Sequence, residues 1–431
     1  MGVDTALPPG PRLPKLVQTA LIFLRPGSSQ RNWQRRYGDL IAVRLFPIGP
    51  AVYLADPADI KAVFAGSPSV VHAGEANSLL TPVVGASSVM VLDEQAHRDR
   101  RRSLLPPFHR DAVAAQTGRM ATIAAEQVAR WPLDREFPVL PRMSEITLEV
   151  ILRIVVGADR PDRLDALRAA LSQITMNGPL QTAGLLRPDL LRRWPWRGFR
   201  RRLAVADRLL YAEIADRRAD PGLAARTDVL AMLVRDSGMT DSELRDQLIS
   251  LLLAGHDTTA TGLAWALERL TRHPELLARA VRAAEQDDEA YLDAVVKETL
   301  RVRPIVPSVG RVLTEPLELH GYRIPAGVTV APAILAVHGC ARRYPDPDRF
   351  DPDRMLGPNP SPTTWLPFGG GARRCLGATF AQVEMRVVLR EVLRGVTLAV
   401  NRTRGERVRV NLVTLVPARG GRIRIVERRG G

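Results

Sequence analysis

Cysteine is almost missing from this 431-residue chain, which has only Cys340 and Cys375. Two thiols cannot build a Cys-rich zinc site or a disulfide framework, and their scarcity points to a reducing, cytoplasmic compartment. Aromatic residues are also few, at 5%. Nucleic-acid binding of the stacking kind needs clustered basic side chains interleaved with aromatics, and no such cluster occurs, so nucleic acid is not an expected partner. Long apolar runs are lacking as well. The run Ala20 to Leu24 in "LPPGPRLPKLVQTALIFLRPG" is far below membrane-spanning length and lacks a signal peptide's apolar core and cleavage site. No later stretch spans without charges, which predicts a soluble protein with no transmembrane segment.

What is present fits a globular chain with ample core: 45% hydrophobic and 25% charged residues. The net charge of +15 comes from 61 Lys+Arg against 46 Asp+Glu. The arginines are scattered and often beside acids, so an acidic partner or a generally Arg-rich proteome explains them better than nucleic acid. Residues 34–64 read as two short strands and a helix after Asp56-Pro57, and 94–300 as nearly continuous helix. Strands return at 312–332, and a Pro/Asp-rich stretch without regular structure covers 345–367. A helix over 376–395 and strands over 396–428 follow. Neither end can complete a sheet alone. The expectation is one domain over 1–431, mainly α with a minor β part.

Four segments carry chemistry. In "FGGGARRCLG" (368–377) Cys375 stands behind a glycine turn and ahead of the amphipathic "ATFAQVEMRVVLREVL". A helix amino terminus and neighbouring arginines stabilise an anionic sulfur, although an inert buried thiol also fits. "LLLAGHDTTATGLAWAL" (251–267) is apolar on nearly every face, yet holds Gly255, Asp257, Thr258 and Thr259. Thr258 bonding back to the carbonyl of Ala254 would leave a small polar notch, or merely a kinked core helix. In "KETLR" (297–301) Glu298 and Arg301 share a helix face, and Arg349 in "YPDPDRFDPDR" could complete a buried triad. In "HRDRRRSLLPPFH" (97–109) His97 and Arg101 are four apart and suited to grip one anion, or belong to a basic surface helix.

Together, in this order, these segments resemble the cytochrome P-450 family of haem-thiolate monooxygenases. "FGGGARRCLG" matches F-x-x-G-x-R-x-C-x-G, "AGHDTT" matches A-G-x-[DE]-T-T and "ETLR" matches E-x-x-R. The likeness runs from about Pro9 to the carboxyl end and has the style of soluble actinobacterial members. It implies the cytochrome P-450 fold, with a long central helix over a buried haem b. Cys375 would be the thiolate ligand of the iron, with O₂ as co-substrate. Phe368, Gly371 and Gly377 would shape the loop around the sulfur. His97, Arg101, Arg311 and Arg373 would hold the propionates. Ala254 and Gly255 would face the haem, Asp257 and Thr258 would deliver protons during dioxygen activation, and the Glu298–Arg301–Arg349 triad would be structural.

The resemblance also implies electrons from NAD(P)H through a ferredoxin and its reductase, since no flavin or nucleotide motif is present. A peroxide-using haem enzyme and a non-catalytic haem sensor or carrier are the alternatives. The pocket is expected from the 76–91 loop, the face around Ala254, residues 305–309 and "LVTLVPA" near the end. Val83, Val84, Ile305, Val306 and Val309 would make it suit a lipophilic small molecule. "RRWPWRGFRRR" (192–202), with Trp194, Trp196 and Phe199 among arginines, could touch a membrane surface peripherally. Arg98, Arg102 and Arg374 are expected as unpaired cations facing the electron donor.

Overall fold

The computed structural model of the protein describes residues 7–172, 174 and 197–429. The amino end forms two helices, α1 (Lys15–Leu24) and α2 (Pro26–Tyr37). Pro26 opens α2 at its first turn, where a missing N–H costs nothing. Strands Leu40–Leu45 and Gly49–Leu54 then pair as an antiparallel hairpin. The second of them runs parallel to Thr329–Pro332, which pairs in turn with Arg311–Leu313 and, beyond it, Val71–His72. This five-stranded sheet therefore draws on segments nearly three hundred residues apart.

The helical part contains α3 (Glu94–Leu104), α4 (Leu140–Ile151), α5 (Arg197–Arg218), α6 (Asp241–Arg272), α7 (Glu289–Val302) and α8 (Ala378–Gly395). Helix α6 starts at a capping box, Thr240 with Glu243, which satisfies two otherwise free amides. Every residue from Thr259 to Leu267 is buried, as an all-round apolar sequence requires. Helix α8 crosses α6 closely. A Cβ on Gly262 would lie 2.8 Å from Met385 Cε, so glycine there sets the spacing of the two helices.

The segment 345–367 is irregular apart from a 3₁₀ turn at Pro352–Met355, and α7 anchors it. Arg301 and Glu298, 1% and 0% exposed at their side chains, form a two-pronged pair with both N···O distances at 2.7 Å. The remaining Arg301 donors reach the carbonyls of His338, Pro347 and Arg349. Arg349 thus contributes its carbonyl, not its guanidinium. The third arginine is Arg354, whose Nε lies 3.8 Å from Glu298 Oε1. "DPDR" occurs twice in this stretch, and both copies meet α7: the first through the Pro347 and Arg349 carbonyls, the second through the Arg354 side chain.

Of the "RRWPWRGFRRR" segment, Trp194 and Trp196 lie outside the described residues. Phe199 is 5% exposed within α5 and belongs to the core, so it is no surface anchor. Val83 and Val84, expected in a pocket wall, are 0% and 2% exposed and also face the core. Among the described residues no helix is long and apolar enough to cross a membrane.

Candidate active site

Cys375 stands just ahead of α8, and its N–H donates to Phe368 O at 2.9 Å, closing the loop. The Phe368 ring stacks edge-on against Trp365, with centroids 5.8 Å apart. Gly369 and Gly371 have φ of +62° and +65°, which disfavours any side chain there. A Cβ at Gly370 or Gly371 would overlap Phe64 at the end of the helix Pro57–Ala65. The glycines therefore let the loop press on that helix. The amide that bonds the sulfur is that of Gly377, the residue capping α8.

The Cys375 side chain is accessible, yet burial among protein atoms pushes its thiol pKa up. Both hold for a thiol lining an internal recess rather than the outer surface. The Gly377 N–H, Arg374 and Arg101 pull in the other direction, favouring the thiolate.

On α6, Ala254 is exposed although Leu252 and His256 on either side are buried. An exposed alanine in the middle of a core helix marks the wall of the same kind of recess. Thr258 Oγ1 donates to Ala254 O at 2.6 Å, Thr259 to Gly255 O at 2.9 Å and Thr261 to Asp257 O at 2.7 Å. Such back-bonding competes for helix carbonyls and loosens the turn. Gly255 is needed for a second reason: a Cβ there would overlap Ile151 of α4.

Two further side chains stand at the notch. His256 Nε2 stands 3.2 Å from Asp257 Oδ1, behind the accessible face. Glu384 of α8, 2% exposed, meets Thr259 across the helix crossing, and burial raises its carboxyl pKa well above the usual range. Burial thus favours its neutral form beside the notch. Chain position gives no hint of it, because the contact exists only when the two helices cross.

The four cationic candidates lie close enough to act on one another electrostatically. His97, Arg311 and Arg373 line one concavity with Phe64, and Arg101 sits near enough to Cys375 to feel its charge. Burial, with Arg373 and Arg101, lowers the His97 pKa to about 4, so its ring is neutral at pH 7. Burial and Arg373 lower Arg311 to about 10, and its one side-chain hydrogen bond goes to Gly310 O at 2.8 Å. Arg373 is paired with Asp93. Three guanidiniums and one carboxylate leave a surplus of two positive charges.

The loop at 85–90 is tied to α6 by polar contacts. Ser88 and Ser250 hydroxyls are 2.6 Å apart, Gln247 bonds Val89 N and Ser87 O, and Asp246 accepts from Ser87 N at 3.0 Å. A Cβ on Gly85 would overlap the Asp246 carboxylate.

A family model described as Cytochrome P450 matches residues 8–421. The chain belongs to the cytochrome P-450 family. It is 60% identical over 430 residues to cytochrome P-450 135B1 of Mycobacterium tuberculosis, covering 97% of this chain and 91% of that protein. Its identity to cytochrome P-450 135A1 of the same organism is 41% over 439 residues, covering 99% and 97%. A retinoic acid-bound cyanobacterial CYP120A1 superposes with a TM-score of 0.83 at 24% identity, over 99% of this chain and 100% of that one. CYP175A1 from Thermus thermophilus gives 0.78 at 22%, covering 98% and 100%. The fold is the cytochrome P-450 fold, mainly α with a minor β part, and the enzyme is a haem-thiolate monooxygenase.

Cytochrome P-450 enzymes use haem with cysteine thiolate ligation, together with O₂, and the residues here suit it. An accessible sulfur in a protein-lined recess offers a soft anionic donor. The surplus of two positive charges, one guanidinium of it buried without a carboxylate, suits a group bearing two carboxylates.

Proposed function

We propose that Cys375 ligates the haem iron and that His97, Arg101, Arg311 and Arg373 hold its propionates. The observation that carries this reading is the accessible Cys375 sulfur, bonded by the Gly377 amide within reach of the Arg101 charge. Haem, when bound, supplies the iron at which dioxygen is activated. A carbon-monoxide difference spectrum of the reduced protein tests the assignment: a thiolate-ligated haem gives a strongly red-shifted Soret band, and an unshifted band would end it.

The chain's own part is to place protons and exclude water. Thr258 presents a hydroxyl at the accessible face, hydrogen-bonded to Ala254 O, and Asp257 next to it offers a carboxylate that can recharge that hydroxyl. Ala254 and Gly255 leave room beside them. This intact acid–alcohol pair favours the O₂-dependent reaction over peroxide use or passive carriage. Thr258→Ala is expected to retain haem and substrate binding while product falls to a small fraction of the cofactor consumed. The balance should appear as hydrogen peroxide. Product that keeps pace with cofactor oxidation would remove the proton role.

The substrate is a lipophilic small molecule. Val306 and Val309 keep accessible surface, and Val309 lies beside the Gly369 turn of the cysteine loop, where an added Cβ would stand 3.8 Å from it. The hairpin 408–417 closes against them, with Leu415 N bonded to Ile305 O. The whole chain acts as one cytoplasmic domain.

Electrons come from NAD(P)H through a ferredoxin docking near α3. Arg98 is bonded only to neutral Gln95, and Arg374 is exposed. Arg102, expected to be unpaired, instead meets Asp99 at 3.2 Å, an exposed pair that is easily screened. Haem reduction by an acidic ferredoxin is expected to slow steeply above about 0.15 M salt, where the Debye length is about 8 Å. Arg98→Glu with Arg102→Glu should slow it at low salt and leave substrate affinity unchanged. A rate indifferent to both changes would place the docking face elsewhere.

A further inference from the structure

Away from the cysteine recess, the start of α2, the end of α7 and the hairpin 408–417 enclose a second cavity of about 250 Å³. Leu24, Pro26, Trp265, Leu335 and Leu415 give it apolar walls. Arg303 lines it, and its situation is unusual. The Arg303 Nε is buried without a hydrogen-bond partner, and the side chain's one hydrogen bond runs from Nη1 to Val302 O at 3.1 Å. Its guanidinium carbon stands 5.2 Å from the Trp265 ring centre.

The nearby acids are committed to other cations. Glu268 pairs with Arg269 and Arg272, and Asp348 pairs with Arg31 at 2.8 Å. Among the described residues no carboxylate forms an ion pair with Arg303. Burial lowers its pKa to about 10, which still leaves it charged at neutral pH. A guanidinium whose Nε is buried without a partner pays a desolvation cost, and the Trp265 ring offsets only part of it. Arg25, at the mouth, adds an exposed cation.

We propose that this cavity binds a small monocarboxylate with an apolar body, its carboxylate on Arg303 and its body against Leu24 and Leu335. A guanidinium offers a carboxylate two parallel N–H donors. A cavity of about 250 Å³ suits a single ring or a short branched chain. The site lies outside the monooxygenase chamber: Trp265 is seven residues along α6 from Thr258, on the buried stretch beyond the α8 crossing.

The test uses haem-loaded protein titrated calorimetrically with benzoate and with benzamide, its neutral counterpart. Benzoate should bind saturably at one site per chain, without moving the Soret band, and raise the melting temperature. Benzamide should bind about tenfold or more weakly, the loss expected when one charged hydrogen-bonding partner is removed. Arg303→Gln should reduce benzoate affinity to the benzamide level. Leu335→Trp keeps the cation but fills the cavity, and should abolish binding even if Arg303→Gln fails to fold. Equal binding of benzoate and benzamide, benzoate binding unchanged in Leu335→Trp, or a Soret shift that tracks the benzoate titration would each overturn the proposal.

Discussion

Cys375→Ser is expected to abolish both the thiolate-type spectrum and turnover, which should fall to background. A neutral hydroxyl is a poor donor to iron, and the electron-rich sulfur is what favours O–O cleavage in this family. The change should be nearly silent for folding. The Cys375 side chain is accessible and its backbone N–H, which closes the loop on Phe368 O, is unaffected. The haem-free variant should therefore unfold within about 0.5 kcal/mol of the parent, as substitutions off the core do. A thiolate-type spectrum surviving in the variant would pass the ligand role to Cys340. That thiol is buried at 8%, on a turn where its own N–H bonds Val337 O, with neither a glycine loop nor a following helix.

Arg301→Met should produce the largest loss of stability. It leaves Glu298 without its partner at 0% side-chain exposure and frees the carbonyls of His338, Pro347 and Arg349 at once. Breaking a buried pair by removing one member costs about 3–5 kcal/mol, against a total stability of about 5–15. Most of the variant should appear in the insoluble fraction, and the remainder should unfold at much lower urea. Adding Glu298→Gln should recover part of the loss, because no charge is then stranded. Arg354→Gln, by contrast, removes a contact of 3.8 Å to Glu298 and a 3.3 Å bond to Asp346 O, and should cost clearly less than Arg301→Met. A parent-like urea midpoint for Arg301→Met would show that the pair is not what holds residues 345–355 to α7.

These contrasts show what the sequence carries and what it does not. The cysteine loop, the Ala254–Thr258 notch and the Glu298–Arg301 pair were legible because each is made by residues within one turn or loop, where spacing dictates geometry. The Thr258–Ala254 bond follows from a four-residue offset and is present at 2.6 Å. Partnerships across elements were not legible. Nothing near Glu384 announces Thr259, and two identical "DPDR" blocks gave no basis for choosing Arg354 over Arg349. Residue type alone also does not separate pocket or surface anchor from core: Val83 and Val84, expected in the pocket, and Phe199, expected at a membrane surface, all turn inward. The glycines of the cysteine loop were expected from the motif, but the need for them comes from Phe64, far earlier in the chain.

The ties between the loop at 85–90 and α6 bear on how this enzyme's selectivity could be re-engineered. The loop's amides and hydroxyl find their acceptors on Asp246, Gln247 and Ser250, so loop and helix form one transferable cassette. A chimera that imports a relative's loop while keeping the native helix would strand those buried groups, each costing about 1–3 kcal/mol. It would lose expression before it revealed any new preference. Libraries aimed at new substrates should therefore hold residues 85–90 and 246–250 fixed and vary Val306, Val309 and Ala254, whose side chains reach accessible space without carrying any of these ties.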